Sequence, residues 1–210
     1  MAICQPFFCL KLILGMQSAF GTVHIYQSKT TTMNSINQEQ PEDNFENLNG
    51  PKAIAKLKDL AEDAKTCFFI SNIKTGLPAS ARPMTVQEVD DEGNLWFIIS
   101  NDSGTYQELQ KEPLAHLFFQ GSKYSDYLNV YGIVSLDQEP GRIKKYWNPI
   151  LKVWFTEGED DPRICILKLQ PSEAYYWDNK HGNAVAFIKQ LAGAALGKTL
   201  DDSIEGNIEI

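Results

Sequence analysis

The sequence predicts a mainly β (α+β) fold, an antiparallel β-barrel with peripheral helices, and three observations lead to this prediction. Several short segments rich in β-branched and aromatic residues are separated by turn signals, which is typical of strands. Most of these segments follow one another too closely for the helical crossovers that parallel strands require. The few segments with helical spacing do not alternate regularly with the strands, which favours helices on the outside of a barrel.

Length and composition set the class of protein. The 210 residues are enough for one domain, or two at most, and the apolar fraction of 43% is ordinary for a globular chain. The net charge of −8 repels phosphate backbones, so we expect no nucleic-acid partner, and a phosphate-bearing ligand needs a local cluster of donors. The cysteines Cys4, Cys9, Cys67 and Cys165 lack metal-site spacing, so no metal is expected, and the last two are predicted to be buried free thiols.

The two ends of the chain differ from its middle. We divide the chain into a leader over residues 1–47, one domain over residues 48–196 and a loose acidic tail over residues 197–210. Residues 1–32 contain no acidic residue and are interpreted as a mis-assigned upstream extension or a disordered leader; a targeting signal or a folded role are the alternatives. Lys11 interrupts their apolar run too early for a membrane helix, so we predict no membrane partner and a cytoplasmic protein.

The strands are predicted from short runs of β-formers. They are residues 66–71, 78–89, 95–100, 114–119, 127–136, 163–169 and 174–177. Residues 74–76 predict a hairpin turn and residues 90–94 a tight turn. Pro83 lies inside the second run, which indicates an edge strand or a bulge.

The helices are predicted from apolar spacing and from their end signals. They are a covering helix that begins at Asn49–Pro51, residues 105–111, a helical hairpin over residues 140–155 that is split at Asn148–Pro149, and residues 184–196. Ser103 can cap the second helix, and Pro113 ends it.

Most standard catalytic motifs are missing, and the catalytic residues stay unknown. The sequence has no phosphate-binding Walker loop, no GxGxxG, no HExxH and no GxSxG. His24 lies in the leader, and His116 is interpreted as a hydrogen-bonded strand residue. His181 lies in a loop that could line a pocket, although a solvated turn is the simpler interpretation. Histidine therefore gives little support for acid–base catalysis.

Two neighbouring segments could together hold a phosphate. Arg82 is a cation in a strand of apolar and small residues, and its forked donors suit a phosphate. Residues 97–106 run from a strand through a loop of small polar residues into a helix start, where hydroxyls and backbone N–H groups can bind an anion. Alternatively, Arg82 pairs with a carboxylate such as Glu88, and Ser103 is only a helix cap.

These segments, and a tryptophan-rich stretch after them, resemble a known family. The stretch contains Trp-Asn-Pro at Trp147, Trp-Phe at Trp154 and Asp-Asp-Pro at Asp160, and Arg-Pro-Met at Arg82 fits in order. It is similar to the general stress protein 26-like subgroup of the pyridoxamine 5′-phosphate oxidase-like superfamily of FMN-binding split barrels. Gly132 and the segment 176–178 also fit, and the resemblance covers roughly residues 48–196.

The resemblance implies a homodimer of split barrels that holds FMN between its subunits and has a small-molecule redox role. Arg82 would contact the FMN phosphate, and a donor such as NAD(P)H would reduce the flavin. The other residues that the resemblance assigns to the cofactor are Pro83 and Met84 along the flavin, Ile98 and Ile99 through backbone groups, Ser100, Ser103, Gly104 and Thr105 at the ribityl chain and phosphate, and Trp147 and Trp154 from the partner subunit or beside the flavin.

The sequence departs from the family at two cationic positions. Thr105 stands where related proteins commonly have a lysine, and Gln87 stands where the true oxidase has one; Lys123 could substitute from a nearby loop. The substrate-binding residues of the true oxidase are not recognisable, so the resemblance does not imply oxidation of pyridoxamine phosphate. The alternatives are a flavin-binding or storage protein without turnover, a split barrel that holds haem through His116 or His181 or that holds a deazaflavin, and a dimerisation module without ligand.

Overall fold

In the computed structural model, the residues that can be described are 44–74, 79–122, 126–196, 200 and 202–210. Most of the leader, the centre of the turn predicted over residues 74–76, and Lys123 lie outside these residues.

The strands form one sheet. Their bounds are β1 Leu48–Asn49, β2 Thr66–Ser71, β3 Ser80–Thr85, β4 Glu88–Val89, β5 Leu95–Ser100, β6 Leu114–Gln120, β7 Tyr127–Asp137, β8 Ile164–Asn179 and β9 Ser203–Glu209. The strand order is β1-β9-β8-β7-β6-β2-β3, with β5 paired to β8 and β4 to β5. All named strand pairs are antiparallel except β1 with β9. The α+β class dominated by a sheet is confirmed, and in the described part of the chain the sheet is not closed.

The helices lie around this sheet. Their bounds are α1 Gly50–Ala64, α2 Gly104–Lys111, α3 Pro140–Tyr146 and α4 Asn183–Leu196, with 3₁₀ turns at Pro149–Val153 and Gly158–Asp160. The predicted covering helix is confirmed, because α1 buries one face through Leu57 and Leu60. The predicted cap of α2 is also confirmed, since the hydroxyl of Ser103 accepts a hydrogen bond from the backbone N–H of Tyr106 at 3.2 Å.

The core lies between the inner face of the sheet and α1. Phe69 of β2 and Phe97 of β5 are fully buried and meet edge to face, with ring centroids 5.8 Å apart. Burial of one such side chain contributes about 1.5–3 kcal/mol. Because β2 is part of this core, its neighbour β3 is held firmly along one side, although β3 ends the strand order.

The structure corrects the prediction of two strands between residues 163 and 177. The segment is one strand, β8, because β7 pairs with it along almost its whole length. Pro171 does not break it, since the register shifts there opposite Gly132. A Cβ atom at Gly132 would lie 2.2 Å from the carbonyl oxygen of Gln170, so the two backbones approach too closely for a side chain.

The structure also corrects the C-terminal prediction. The residues expected to form a loose acidic tail include strand β9, which pairs antiparallel with β8. Its inner face carries Gly206 and Ile208, both buried. Alternation of apolar and polar residues was hidden by the acidic composition of this segment. The predicted second strand, residues 78–89, is divided into β3 and β4, because the N–H of Val86 donates to the carbonyl of Lys65 between them.

Candidate functional site

Arg82 lies where the edge strand meets the start of a helix. Strand register places it opposite Phe69, so its side chain is directed away from the outer surface of the sheet and towards α2. One guanidinium nitrogen donates to the hydroxyl of Thr105, and Nη2 donates to Oε2 of Glu108 at 2.7 Å. The alternative that Arg82 pairs with a carboxylate is therefore correct in kind, but its partner is Glu108. Glu88 accepts hydrogen bonds from Lys145 and Tyr146 instead.

Glu108 is the centre of a hydrogen-bond cluster that joins β2, β3 and α2. The hydroxyl of Ser71 donates to Oε2 at 2.6 Å, and the hydroxyl of Ser80 donates to Oε1 at 2.9 Å. Burial raises the pKa of Glu108, but these two hydrogen bonds and the charge of Arg82 outweigh it, so the pKa lies below its ordinary value. We call Arg82, Thr105, Glu108, Ser71 and Ser80 the arginine cluster. It holds the guanidinium in place with roughly a quarter of its side chain exposed.

The loop before α2 has the form of an anion seat. Ser103 caps the helix, and Gly104 is exposed with no atom within 4 Å of the position that a Cβ would take. Thr105 is buried, and the hydroxyl of Ser100 donates to the carboxylate of Asp102. The partial positive charge of a helix N-terminus favours an anion at the open space beside Gly104, whereas the carboxylates of Asp102 and Glu108 oppose one. The hydroxyl of Thr105 is engaged within the fold, since it accepts a hydrogen bond from Arg82.

An apolar groove lies on the outer face of the same strands. We call it the aromatic groove; its volume is about 480 Å³, and it is lined by Thr66, Cys67, Phe68, Pro83, Phe118, Phe119, Gln120, Tyr127, Leu128 and Trp177. Register places Phe68 between Pro83 and Phe118, and Tyr127 between Gln120 and Trp177. Phe68 is 62% exposed and Trp177 40%. A groove of this volume and lining suits a flat, largely apolar ligand.

Arg82 and Pro83 connect the arginine cluster to the aromatic groove. Successive residues of a strand point to opposite faces, so Arg82 faces the cluster while Pro83 faces the groove. In the described sheet β3 is an edge strand, which confirms the prediction from Pro83. A ligand can therefore pass along the free edge and touch both sites. Met84 lies on the same side as Arg82 and packs against the core.

The other predicted cofactor residues differ in how deeply they are buried. Ile98 is half-buried and Ile99 is buried in β5. Trp147 follows α3 and is half-buried, whereas Trp154 is 62% exposed after the first 3₁₀ turn. Neither tryptophan lines the aromatic groove of its own chain. Contact of these residues with a cofactor stays a prediction.

The described histidines have hydrogen-bond partners, and the described cysteines are buried. His116 shares a hydrogen bond with the amide oxygen of Asn129, as expected for a hydrogen-bonded strand residue. Nδ1 of His181 lies 2.7 Å from Oδ1 of the buried Asp202. Cys67 and Cys165 are buried free thiols as predicted, and burial raises the pKa of Cys67 to about 12, so it is a poor nucleophile.

Neither a metal site nor a membrane-spanning helix is found among the described residues. There, no group of three histidine, cysteine or acidic residues is arranged to hold a metal ion. None of the helices in the same part of the chain has the length and apolar character needed to cross a membrane.

Sequence reasoning missed the aromatic groove and the role of Glu108. The groove had a signal: Phe68–Phe69 and Phe118–Phe119 are consecutive aromatic pairs in strands, so one member of each pair must face outward. No signal in the sequence pointed to Glu108, because its contact with Arg82 depends on how α2 packs against β3.

Fold and site define a largely antiparallel sheet protein with an aromatic groove on the outer face and a paired arginine on the other side of the same edge strand. The family model described as pyridoxamine 5′-phosphate oxidase like matches residues 52–201. The chain belongs to this family, as the resemblance indicated. Protein bli-3 of Neurospora crassa is 28% identical over an alignment of 123 residues, and the alignment covers 54% of this chain and 54% of that protein. The match thus spans about half the length of this curated relative.

Solved structures agree with the fold. A Jannaschia sp. CCS1 protein assigned to general stress protein 26 has 19% identity and a TM-score of 0.63, covering 74% of this chain and 97% of its own. General stress protein 26 of Bacillus anthracis str. Sterne has 21% identity and a TM-score of 0.52, covering 59% of this chain and 92% of its own. At these identities the likeness concerns the fold alone.

Proposed function

We propose that this chain is a flavin-binding protein of the general stress type, a homodimer of split barrels that binds FMN and has a redox role towards a small molecule in the cytoplasm. The observation that carries the proposal is the connection between the aromatic groove and the arginine cluster through adjacent residues of an edge strand. FMN combines a flat ring with a phosphate, which is the combination that this site suits.

The residues present fit such a ligand. The aromatic groove offers stacking surfaces from Phe68, Phe118 and Trp177, and its volume of about 480 Å³ lies in the range of small-molecule sites. The seat at Gly104 is open, and Arg82 keeps part of its surface exposed beside it. Glu108 opposes a phosphate there, because it already neutralises the guanidinium.

Each part of the site would have a separate task. The flavin, when bound, supplies reversible electron and hydride transfer. Arg82, Ser103 and the backbone at Gly104 would bind the phosphate and fix the depth of the ligand. The groove aromatics would orient the ring and exclude water from one of its faces. Turnover with NAD(P)H and storage without turnover use the same binding residues, so kinetics must separate them.

The first experiment identifies the ligand. Heating the purified protein should release a yellow compound with the mass and absorbance of FMN. A Soret band would indicate haem instead, and a colourless protein that does not bind added FMN would overturn the proposal. A rate of NAD(P)H oxidation above that of free FMN supports an enzyme, and a rate no higher than free FMN supports the storage alternative.

Replacing Arg82 tests the phosphate assignment. Arg82→Ala should weaken FMN binding by about 10- to 100-fold, because a hydrogen bond to a charged group contributes about 1.5–3 kcal/mol. Binding of riboflavin, which has no phosphate, should change little. Arg142→Ala is the control, since Arg142 lies over the ring of Trp96 and not in the arginine cluster. Equal losses of affinity for FMN and for riboflavin would show that Arg82 does not bind the phosphate.

A further inference from the structure

An asparagine and a glycine stand side by side where strand β1 passes into helix α1. Asn49 and Gly50 are the only asparagine–glycine pair in the sequence. Asn49 is the last residue of β1 and occupies the N-terminal cap position of α1, and both residues are exposed. Neither residue belongs to the arginine cluster or lines the aromatic groove, so the pair has no part in the proposed function.

The side chain of Asn49 is not used as a helix cap. Asparagine is a preferred cap residue because its oxygen can accept from the first backbone N–H groups of a helix. Ser103 and Glu139 accept such hydrogen bonds for α2 and α3, whereas Asn49 makes none for α1. The nearby Asn47 differs, since its amide oxygen accepts from the backbone and side-chain N–H groups of Asn207 at 2.9 and 3.0 Å. The amide of Asn47 is therefore held in place, and that of Asn49 is not held by a cap.

The residue that follows Asn49 gives it no steric protection. Gly50 has no side chain, and no atom lies within 4 Å of the position that a Cβ would take. The first N–H groups of a helix have no partner within the helix, so the nitrogen of Gly50 is not part of the helical ladder. Strand β1 has only two residues and ends the strand order of the described sheet, so local opening there costs little free energy. The backbone at this junction can thus rotate and bring the nitrogen of Gly50 to the side chain of Asn49.

We propose that Asn49 is a site of spontaneous deamidation through a cyclic succinimide. The backbone nitrogen of Gly50 attacks the side-chain carbonyl carbon of Asn49, and the new C–N bond closes the ring. The bond to the side-chain nitrogen breaks, and this nitrogen leaves as ammonia with the proton that the Gly50 nitrogen gives up. Water then opens the ring at one of its two carbonyl carbons, which leaves either aspartate or isoaspartate at this position. The reaction consumes water alone and needs no oxidant or reductant.

The two products affect helix α1 in opposite directions. Aspartate adds a negative charge at the N-terminus of a helix whose first turn contains no acidic residue, which is favourable for the helix dipole. Isoaspartate carries the backbone through the side chain and so adds a methylene group to the chain between β1 and α1. Because Leu57 and Leu60 of α1 are buried in the core, a shift of this junction acts on the packing of the helix. We therefore expect isoaspartate to lower the melting temperature and aspartate not to lower it.

Ageing of the purified full-length protein tests the site. The protein is kept in warm, mildly alkaline buffer and digested with trypsin, and the peptide that ends at Lys52 is fragmented in a mass spectrometer to locate the exchange of an NH₂ for an OH group. Asn47 lies in the same peptide and is the internal control. Asn49 should react at least about tenfold faster, because Asn47 must first break its hydrogen bonds with Asn207. The rate should rise with pH, since the attacking nitrogen of Gly50 must lose its proton.

A matched variant and a second assay identify the product. Asn49→Gln keeps the amide but would have to close a larger ring, so it should show no exchange at this position. A protein isoaspartyl methyltransferase with labelled S-adenosylmethionine should label this peptide in the aged native protein and not in the aged variant. An Asn49 that reacts no faster than Asn47, or a product without isoaspartate, would overturn the proposal.

Thermal unfolding measures the effect on α1. Asn49→Asp should melt at or above the temperature of the native protein, and aged protein enriched in isoaspartate should melt below it. Equal melting temperatures of the enriched and the native protein would contradict the effect on helix packing. None of these measurements involves a ligand, so the failure of this inference and the failure of the proposed function are observed separately.

Discussion

Replacing Glu108 with glutamine should tighten the binding of FMN, although it removes an ion pair. In the arginine cluster the carboxylate of Glu108 accepts from Arg82 Nη2 at 2.7 Å and from the hydroxyls of Ser71 and Ser80. Glutamine has the same shape and can keep an oxygen towards Arg82, so the guanidinium stays oriented. The negative charge that opposes a phosphate is removed.

The size of the effect follows from distance and exposure. A phosphate bound to the open side of the guanidinium would lie on the order of 6 Å from the carboxylate. At this separation two unit charges repel by about 3 kcal/mol at an effective dielectric constant of 20, and by about 0.7 kcal/mol in bulk water. Arg82 and Glu108 are 28% and 27% exposed, so we take an intermediate value of about 1–1.5 kcal/mol. The dissociation constant of FMN should fall roughly five- to tenfold.

Titration of apoprotein with FMN and with riboflavin measures this effect. The riboflavin affinity should be the same in Glu108→Gln and in the native sequence, because riboflavin carries no charge near residue 108. The difference between the two ligands isolates the phosphate contribution. If Glu108→Gln weakens FMN and riboflavin alike, the arginine cluster is structural and the phosphate binds elsewhere; if neither affinity changes, the phosphate is distant from Glu108.

Three further predictions concern stability. Gly132→Ala should lower the free energy of unfolding by about 1–3 kcal/mol, because its Cβ would lie 2.2 Å from a backbone carbonyl oxygen. The control is Gly104→Ala, whose Cβ would have no atom within 4 Å and which should change this free energy by less than about 1 kcal/mol. Urea denaturation measures both. Ile208→Ala should lower the free energy of unfolding by about 2–5 kcal/mol, because the side chain is only 3% exposed. Ile210→Ala, at a side chain that is 50% exposed, should lower it by less than about 0.5 kcal/mol. Equal losses of stability would show that β9 is not part of the folded sheet. The pKa of Glu108 is lowered in the fold, so its charged form contributes stability that is present above its ordinary pKa of 4.5 and is lost as the pH falls through the lower folded value. Below pH 4.5 the free energy of unfolding, followed by fluorescence, should therefore fall less steeply with pH in Glu108→Gln than in the native sequence. Equal slopes would contradict this contribution.

Elements fixed by local chemistry could be predicted from the sequence. Strand β5 has the predicted bounds, Leu95–Ser100, because the turn before it uses Asp90 to accept hydrogen bonds from the backbone N–H groups of residues 92 and 94. The cap at Ser103 is equally local. In both cases the side chain that sets the boundary lies within a few residues of it, so no knowledge of the fold is needed.

Elements fixed by distant contacts could not be predicted from the sequence. Pro171 is a local signal against a continuous strand, but pairing with β7 on one side overrides it, and the irregularity is taken up opposite Gly132. The order of β9 depends on β8, from which it is separated by α4 in the sequence. The contact between Arg82 and Glu108 likewise joins a strand to a helix 26 residues later. Residue types indicated a cation seeking an anion, but only the fold decides which carboxylate is in reach.

The position of β3 at the edge of the sheet explains why one ligand could use both sites. In a central strand, neighbours on both sides separate the two faces, so adjacent residues such as Arg82 and Pro83 contact different compartments. At an edge, one side of the strand has no neighbour in the described sheet, and a ligand can extend from one face to the other. An open edge also invites pairing with another chain. Pro83 has no backbone N–H to donate, and proline is therefore found mainly in edge strands such as β3.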